Sequence, residues 1–326
     1  MRRNEIADQK IRDAEDAMLW FVPSSRAEYS LARRRLSAGK MREPYPGLYG
    51  REETCCKLDP RATAYRTLKT LIREHPTWHY CQFSAALLHG IHVPYSKLKP
   101  VHIVVEPSQN CSHTKALRRH ACRADIVPVD GALATSIDQT IMDCLCRTSF
   151  SEGLGIVDSA LHWNLTSMSQ LEAYFAEHGT GLRGIEQARS TLSYADDRAE
   201  NGGESALRAI IITAGFALPE LQVEIQDPLG SDSYVRVEFY WTLPDGSTVI
   251  CEFDGAQKYL DSPSAADNPE QALKNAVKKM SDERARESLI NLTGAVVVRI
   301  TSRHLANPAF IVTLLERAGV PRHRHP

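Results

Sequence analysis

No stretch of this sequence approaches the ~18 uninterrupted apolar residues of a membrane-spanning helix. Its opening, MRRNEIADQKIRDAED, is charged and lacks the apolar h-region of a secretory signal. These two absences exclude a membrane partner and predict a cytoplasmic protein. An excess of charge is missing too: 39 basic residues against 40 acidic leave a formal net charge of −1. Any nucleic-acid surface therefore has to come from local clustering. There is no CxxC pair and no regular cysteine framework; the eight cysteines at 55, 56, 81, 111, 122, 144, 146 and 251 are scattered. They read as reduced, partly buried thiols ahead of a structural zinc. The twelve histidines are equally dispersed, and His89 and His92, flanking Gly90, read as capping or core residues rather than as a metal pair.

What is present is a globular composition, 43% hydrophobic and 24% charged, able to bury a core in each part. At 326 residues the chain is long enough for two or three domains of about 150 residues each. We read it as an α/β multidomain protein with segments at 1–60, 61–198 and 199–326.

In the first segment, apolar positions 11, 14, 18 and 19 predict an amphipathic helix over about 8–20. Pro23 and two serines then make a turn and cap, and a helix over 27–38 ends at Gly39. Pro44, Pro46 and Gly47 interrupt what is otherwise a basic hairpin. Helix, turn, helix and hairpin is the order of a winged helix-turn-helix. The second helix carries Arg33, Arg34 and Arg35, and Lys40 and Arg42 flank the hairpin. In a DNA-binding reading the helix enters the major groove and the hairpin cations contact phosphates. An ordinary solvated basic face is the alternative.

The middle segment alternates helical stretches (RATAYRTLKTLIREH, TSIDQTIMDCLC, EGLGIVDSALHW, SMSQLEAYFAEH) with an apolar strand, KPVHIVVE. Asp138, Asp143 and Asp158 lie among helical neighbours, where capping or solvent contact suits them better than catalysis. The polar DDRAENGG at 196–203 is the best linker candidate.

The last segment reads helix (204–215), strands (220–227, 234–241, 247–254), a long charged helix (270–292), a strand (295–301) and a closing helix (306–318), an α-β-β-β-α-β layout with a terminal helix. Alternation puts Arg236, Glu238 and Tyr240 on one face of the second strand, and Ile250, Glu252 and Asp254 on one face of the third. The short TLPDGS connection makes these strands antiparallel neighbours, so Glu238 and Glu252 approach at the open end of the pair. Glu204 opens the preceding helix, where the helix dipole favours a carboxylate. Such a group of acids has to shift its pKa values or take a divalent cation, and all-oxygen ligands suit Mg²⁺ or Mn²⁺.

The pattern GES…VRVEFYW…VICEFDGAQKY…RARESLINL…AVVVRIT resembles the restriction-endonuclease-like, PD-(D/E)xK superfamily, and within it the nuclease domains related to the very-short-patch-repair endonuclease. The winged-helix region with SAALLHGI…VHIVV resembles the AbiEi-family antitoxins of type IV toxin–antitoxin systems. The resemblance implies that Glu238 stands for the strand-two Asp, Glu252 for the strand-three acid, Glu204 for the helix carboxylate and Lys258 for the basic residue after Asp254-Gly255. Glu238 departs from the usual Asp by one methylene. Asp254 stands where the wider superfamily has its Lys.

The resemblance implies metal-assisted phosphodiester hydrolysis, with Mg²⁺ or Mn²⁺ on Glu238, Glu252 and Asp254, and Lys258 against the developing phosphorane charge. Lys274, Lys278, Lys279, Arg284 and Arg286 on the long helix read either as backbone contacts or as a salt-bridged surface. The expected function is DNA binding with metal-dependent cleavage; the alternative is a non-catalytic, antitoxin-like repressor. The partners these readings carry are DNA, a toxin protein and a second copy reading a palindrome.

Overall fold

The computed structural model describes residues 2–106, 112–230, 233–254 and 269–322. The protein is of mixed α/β class with three sheets among these residues. Lys258 lies outside the described residues, as do the side chains of Lys279 and Arg284. Among the described residues no helix is long and apolar enough to cross a membrane, and no cysteine is in a disulfide.

The chain forms two compact units, one of Met1–Ser149 with Asn164–Thr191 and one of Phe150–Trp163 with Leu192–Pro326. The first unit opens with helix α1 (Arg2–Asp16), which buries Ala7, Ile11 and Ala14. The helix expected over 8–20 stops at Asp16 because Met18 takes a left-handed φ of 56°. Helix α2 (Arg26–Ser37) is capped by Ser25, whose side chain accepts from the Glu28 N–H. Strands β1 (Met41–Tyr45) and β2 (Leu48–Arg51) do form a hairpin. The prolines expected to interrupt it are absorbed by a register shift between Arg42 and Tyr45, while Gly47 turns at a φ of 82°. Phe21 and Tyr49 add an antiparallel bridge, and Ile11, Ala14, Phe21, Ala32, Met41 and Tyr49 share one core cluster.

A short helix α3 (Glu52–Cys55) leads to α4 (Pro60–Glu74), which Asp59 caps and Pro60 opens. Trp20 docks on α4: its indole donates to Thr67 Oγ1 at 2.9 Å, its backbone N–H to Thr70 Oγ1 at 2.9 Å, and the Arg66 guanidinium lies over its ring. That contact draws the winged-helix candidate and the following segment into one unit. Then come β3 (His79–Tyr80), α5 (Gln82–Leu88), β4 (Val101–Val105), β5 (Leu117–Ala121), β6 (Ile126–Val129), β7 (Ala132–Thr135) and α6 (Ile137–Leu145). These strands make a five-stranded mixed sheet in the order β5-β4-β3-β7-β6. Helix α7 (Phe150–His162) belongs to the second unit. The chain returns to the first with α8 (Met168–His178), closed by a Ser167/Gln170 capping box, and α9 (Ile185–Leu192).

The second unit continues with α10 (Gly202–Thr213), β8 (Glu220–Gln226), β9 (Tyr234–Thr242), β10 (Thr248–Asp254), α11 (Pro269–Leu292), β11 (Val296–Thr301) and α12 (Pro308–Arg317). The sheet order is β11-β10-β9-β8, with β8, β9 and β10 antiparallel in turn and β11 parallel to β10. One apolar cluster joins the sheet to α10 and α12 through Leu207, Ile211, Ile311 and Leu315, and another joins it to α11 through Leu289 and Ile290. Helix α7 packs on α10. There the fully buried Asp158 accepts from Arg208 Nη1 at 2.7 Å, Ser205 Oγ at 2.8 Å and the Asp196 N–H at 2.9 Å. Asp158, expected from its helical setting to cap or face solvent, is instead buried and ion-paired inside the unit. The same bonds fold the expected linker at 196–203 into the unit, where Ala199 is part of the core.

Candidate functional site

Where β9 meets its neighbours, strict alternation breaks. Val235 and Val237 share the α11-side cluster with Tyr240 and Ile250, whereas Phe239 and Trp241 belong to the α10/α12 side. The strand therefore changes face at Glu238. In β8 the same change falls at Gln222, with a left-handed φ of 54°: Leu221 lies on one side, Val223 and Ile225 on the other. Gln222 and Glu238 are the step missing from an otherwise regular pairing, between Leu221↔Phe239 and Val223↔Val237. A non-glycine residue at such a φ costs ~1–3 kcal/mol and concentrates at functional positions.

The β9–β10 ladder stops at the same level, with Cys251↔Phe239. Beyond it, carboxylates take over from carbonyls. The Glu238 N–H donates to Glu252 Oε1 at 3.3 Å, and the Phe253 N–H donates to Glu238 Oε2 at 2.5 Å. Arg286 of α11 donates to Glu252 Oε2 at 2.8 Å and to the Arg236 carbonyl at 2.7 Å. Glu252 is 2% exposed and Glu238 9%. Two carboxylates this close repel strongly in a poorly solvated site, and the guanidinium offsets that repulsion.

Glu204 joins from α10. Its carboxylate accepts from the Glu200 N–H at 3.0 Å, from Gln222 Nε2 at 3.1 Å and from Asn201 Nδ2. Asn201 in turn caps the helix by accepting from the Gly203 and Glu204 N–H groups. The close approach of this helix start to β10 needs glycine: a Cβ on Gly203 would lie 2.1 Å from a Phe253 ring carbon. Cys251, between the strand and the apolar core, is fully buried, and burial pushes its thiol well up.

The structure thus joins Glu238 and Glu252 through backbone N–H groups, while Glu204 is tied to Gln222, which stands opposite Glu238 at the missing step of the β8–β9 pairing. Asp254 is set apart: its carboxylate faces Arg299 at 3.7 Å, and Arg299 also meets Glu287 at 3.5 Å. Lys274 and Lys278 are exposed on α11. Arg286, read from sequence either as a backbone contact or as part of a salt-bridged helix face, forms an ion pair with Glu252 of the sheet. Arg286 precedes the sheet-facing Ile290 by four residues, one helical turn on the same stripe, which places it toward the sheet but does not name its partner. Nothing in the strand sequences signals the change of face at Gln222 and Glu238.

The carboxylate oxygens are the right donor chemistry for Mg²⁺ or Mn²⁺. As they stand, however, the described residues do not fit a divalent ion. The Arg286 guanidinium takes the Glu252 oxygen that a cation would need, the Phe253 N–H takes one of Glu238, and no group of three or more His, Cys, Asp or Glu among the described residues is arranged to hold a metal.

The N-terminal candidates divide in two. Arg33 faces Glu43 at 3.6 Å, Arg35 pairs with Asp8 at 2.5 Å and Arg42 with Glu52 at 2.5 Å. Arg34 and Lys40 are exposed and form no ion pair among the described residues.

The chain is 33% identical over 162 residues to two uncharacterized proteins of Mycobacterium tuberculosis, MT2308 of strain CDC 1551 / Oshkosh and Rv2248 of strain ATCC 25618 / H37Rv. The match covers 49% of this chain and only 58% of each relative's length. No family model and no solved structure matches the chain.

Proposed function

We propose that this chain is a DNA-binding protein whose second unit is a restriction-endonuclease-like domain directed at the phosphodiester backbone. Its N-terminal segment is, on this reading, an AbiEi-like winged helix that finds the duplex. The observation that carries the proposal is the buried pair Glu238 and Glu252, bound to each other's strands at the end of β9 and β10, beside a backbone strained at Gln222, which donates to Glu204. Packing alone gives no reason to bury two carboxylates there. Exposed Arg34 and Lys40 supply phosphate contacts on the candidate recognition helix and hairpin. Cleavage by this site requires Arg286 to leave Glu252, since the acids as arranged do not fit a metal ion.

A second reading is favoured by that same ion pair. With Glu252 neutralised internally, the domain serves for binding alone, and the protein is an antitoxin-like repressor. One experiment separates the two: supercoiled plasmid with Mg²⁺ or Mn²⁺, an EDTA control, and wild type beside Glu252→Ala, with a mobility shift on duplex DNA in parallel. Metal-dependent nicking lost in the mutant establishes hydrolysis. Binding without nicking in either protein establishes the repressor, and binding must weaken in Arg34→Glu/Lys40→Glu. No DNA binding at all refutes both.

A further inference from the structure

A cavity of about 210 Å³ lies within the first unit, between the β1–β2 hairpin, α4, α5 and the start of β4. Its buried wall is apolar: Ala64 and Leu68 of α4, Phe83 and Leu87 of α5, and Val101 of β4. The half-buried Pro44 and Tyr45 add the side of the hairpin. Apolar cavities of about 150 Å³ take up benzene. This chamber therefore has room for a single ring with a short substituent.

The two hydroxyls of the lining are already engaged. Thr67 Oγ1 accepts from the Trp20 indole at 2.9 Å and donates to the Thr63 carbonyl at 2.8 Å, and Ser84 Oγ accepts from the His102 N–H at 2.9 Å. A sugar would leave several of its own hydroxyls unpaired there, so the wall selects an apolar body.

The mouth carries charge of one sign. The exposed residues of the lining are Pro46, Lys99 and Lys115, and no acidic residue lines the cavity. Parallel pairing of β4 with β5 sets Val101 against Leu117, and the Val101 N–H donates to the Ala116 carbonyl at 2.9 Å. The two lysines, each two residues before that pair, thus stand at the same end of the ladder. Lys99 donates to the Pro44 carbonyl at 3.2 Å, which uses one of its three N–H donors. Lys115 forms no ion pair among the described residues. Two ammonium groups at one mouth with no carboxylate in the lining repel each other, and a bound anion offsets that repulsion.

We propose that this cavity binds a small carboxylic acid with one apolar ring, the ring against Leu68, Phe83 and Leu87 and the carboxylate on the ammonium groups of Lys99 and Lys115. The lysines alone would hold any anion, and the chamber alone any small apolar molecule; the ligand is the one that satisfies both. Ammonium-to-carboxylate hydrogen bonds are charge-assisted and short. The inference does not depend on the DNA reading above.

The test is calorimetric titration of the full chain with phenylacetate, beside acetate, which lacks the ring, and benzyl alcohol, which lacks the charge. Phenylacetate is expected to bind at least tenfold more tightly than either. Lys115→Glu, on an exposed side chain, should weaken that binding tenfold or more. Ala64→Leu, which fills the chamber from α4, should abolish binding while hydrogen exchange of the α4 and β4 peptides stays as slow as in the wild type. If Ala64→Leu fails to fold, Lys115→Glu decides alone. Absence of phenylacetate binding, acetate or benzyl alcohol binding as tightly, or unchanged affinity in Lys115→Glu or in a folded Ala64→Leu would each overturn the proposal.

Discussion

Replacing Arg286 by Met keeps much of the aliphatic stem against the sheet and removes the guanidinium from Glu252. Breaking one side of a buried ion pair costs ~3–5 kcal/mol, because the other charge is left without compensation. Arg286 itself is 28% exposed at its side chain, so solvent screens part of that charge and the expected cost falls to about 2–3 kcal/mol. The double variant Arg286→Met/Glu252→Gln should recover to within about 1 kcal/mol of the wild type, since the buried charge is gone as well. Global denaturation suits a two-unit chain poorly, so hydrogen exchange of β9 and β10 peptides is the appropriate assay. Mg²⁺ provides a further arm. If Arg286→Met frees the carboxylates for a cation, Mg²⁺ at ten times its dissociation constant should restore about 1.4 kcal/mol to those peptides, and should leave the wild type unchanged. A single variant costing under about 0.5 kcal/mol, or a double variant no better than the single, would refute the account of Arg286 as the charge that makes this acidic strand end tenable.

Acid should weaken the first unit. His92 and His120, held at about 4, and His102, at about 3, stay neutral in the fold, whereas the unfolded chain protonates them below about 6.5. The unfolded state therefore binds more protons below that value. Stability should be level above pH 6.5 and fall as pH drops toward the folded values, by about 1–2 kcal/mol for each histidine at pH 5. Exchange rates of β4 and β5 that do not change between pH 7 and 5, after correction for intrinsic exchange, would contradict this. Gly203→Ala drives a Cβ into Phe253 and should cost about 1–3 kcal/mol by overpacking. Pairing it with Phe253→Leu should recover part of that loss in hydrogen exchange of the β10 peptides; no recovery would point to some other strain.

Much of the fold was legible because local chemistry and tertiary need agree. The serines that cap the second helix, the apolar run KPVHIVVE and the alternation of β10 each point to the element that forms. The proximity of Glu238 and Glu252 was legible for a related reason, since the short β9–β10 connection makes their strands antiparallel neighbours, whereas Asp254, read on the same face as Glu252, lies apart against Arg299. What surrounds those acids was not. The odd-numbered apolar positions of β9, Val235 to Trp241, read as one continuous face. Only the pairing with β8 shows that the strand turns over at Glu238. Arg286 lies 34 residues beyond Glu252, and its pairing depends on how α11 lies on the sheet.

The excursion of α7 into the second unit sets an order of events during synthesis. Asp158 leaves the ribosome some fifty residues before Arg208, its buried partner. Helix α7 must therefore wait, its apolar face uncovered, while the first unit's remaining helices at 168–192 are made and while α10 follows. Any fragment beginning at 199 carries Arg208 without that carboxylate and α10 without the helix that covers it. The covalent boundary at 199 is thus not the boundary of what folds together, and a genetic cut there would separate partners rather than domains.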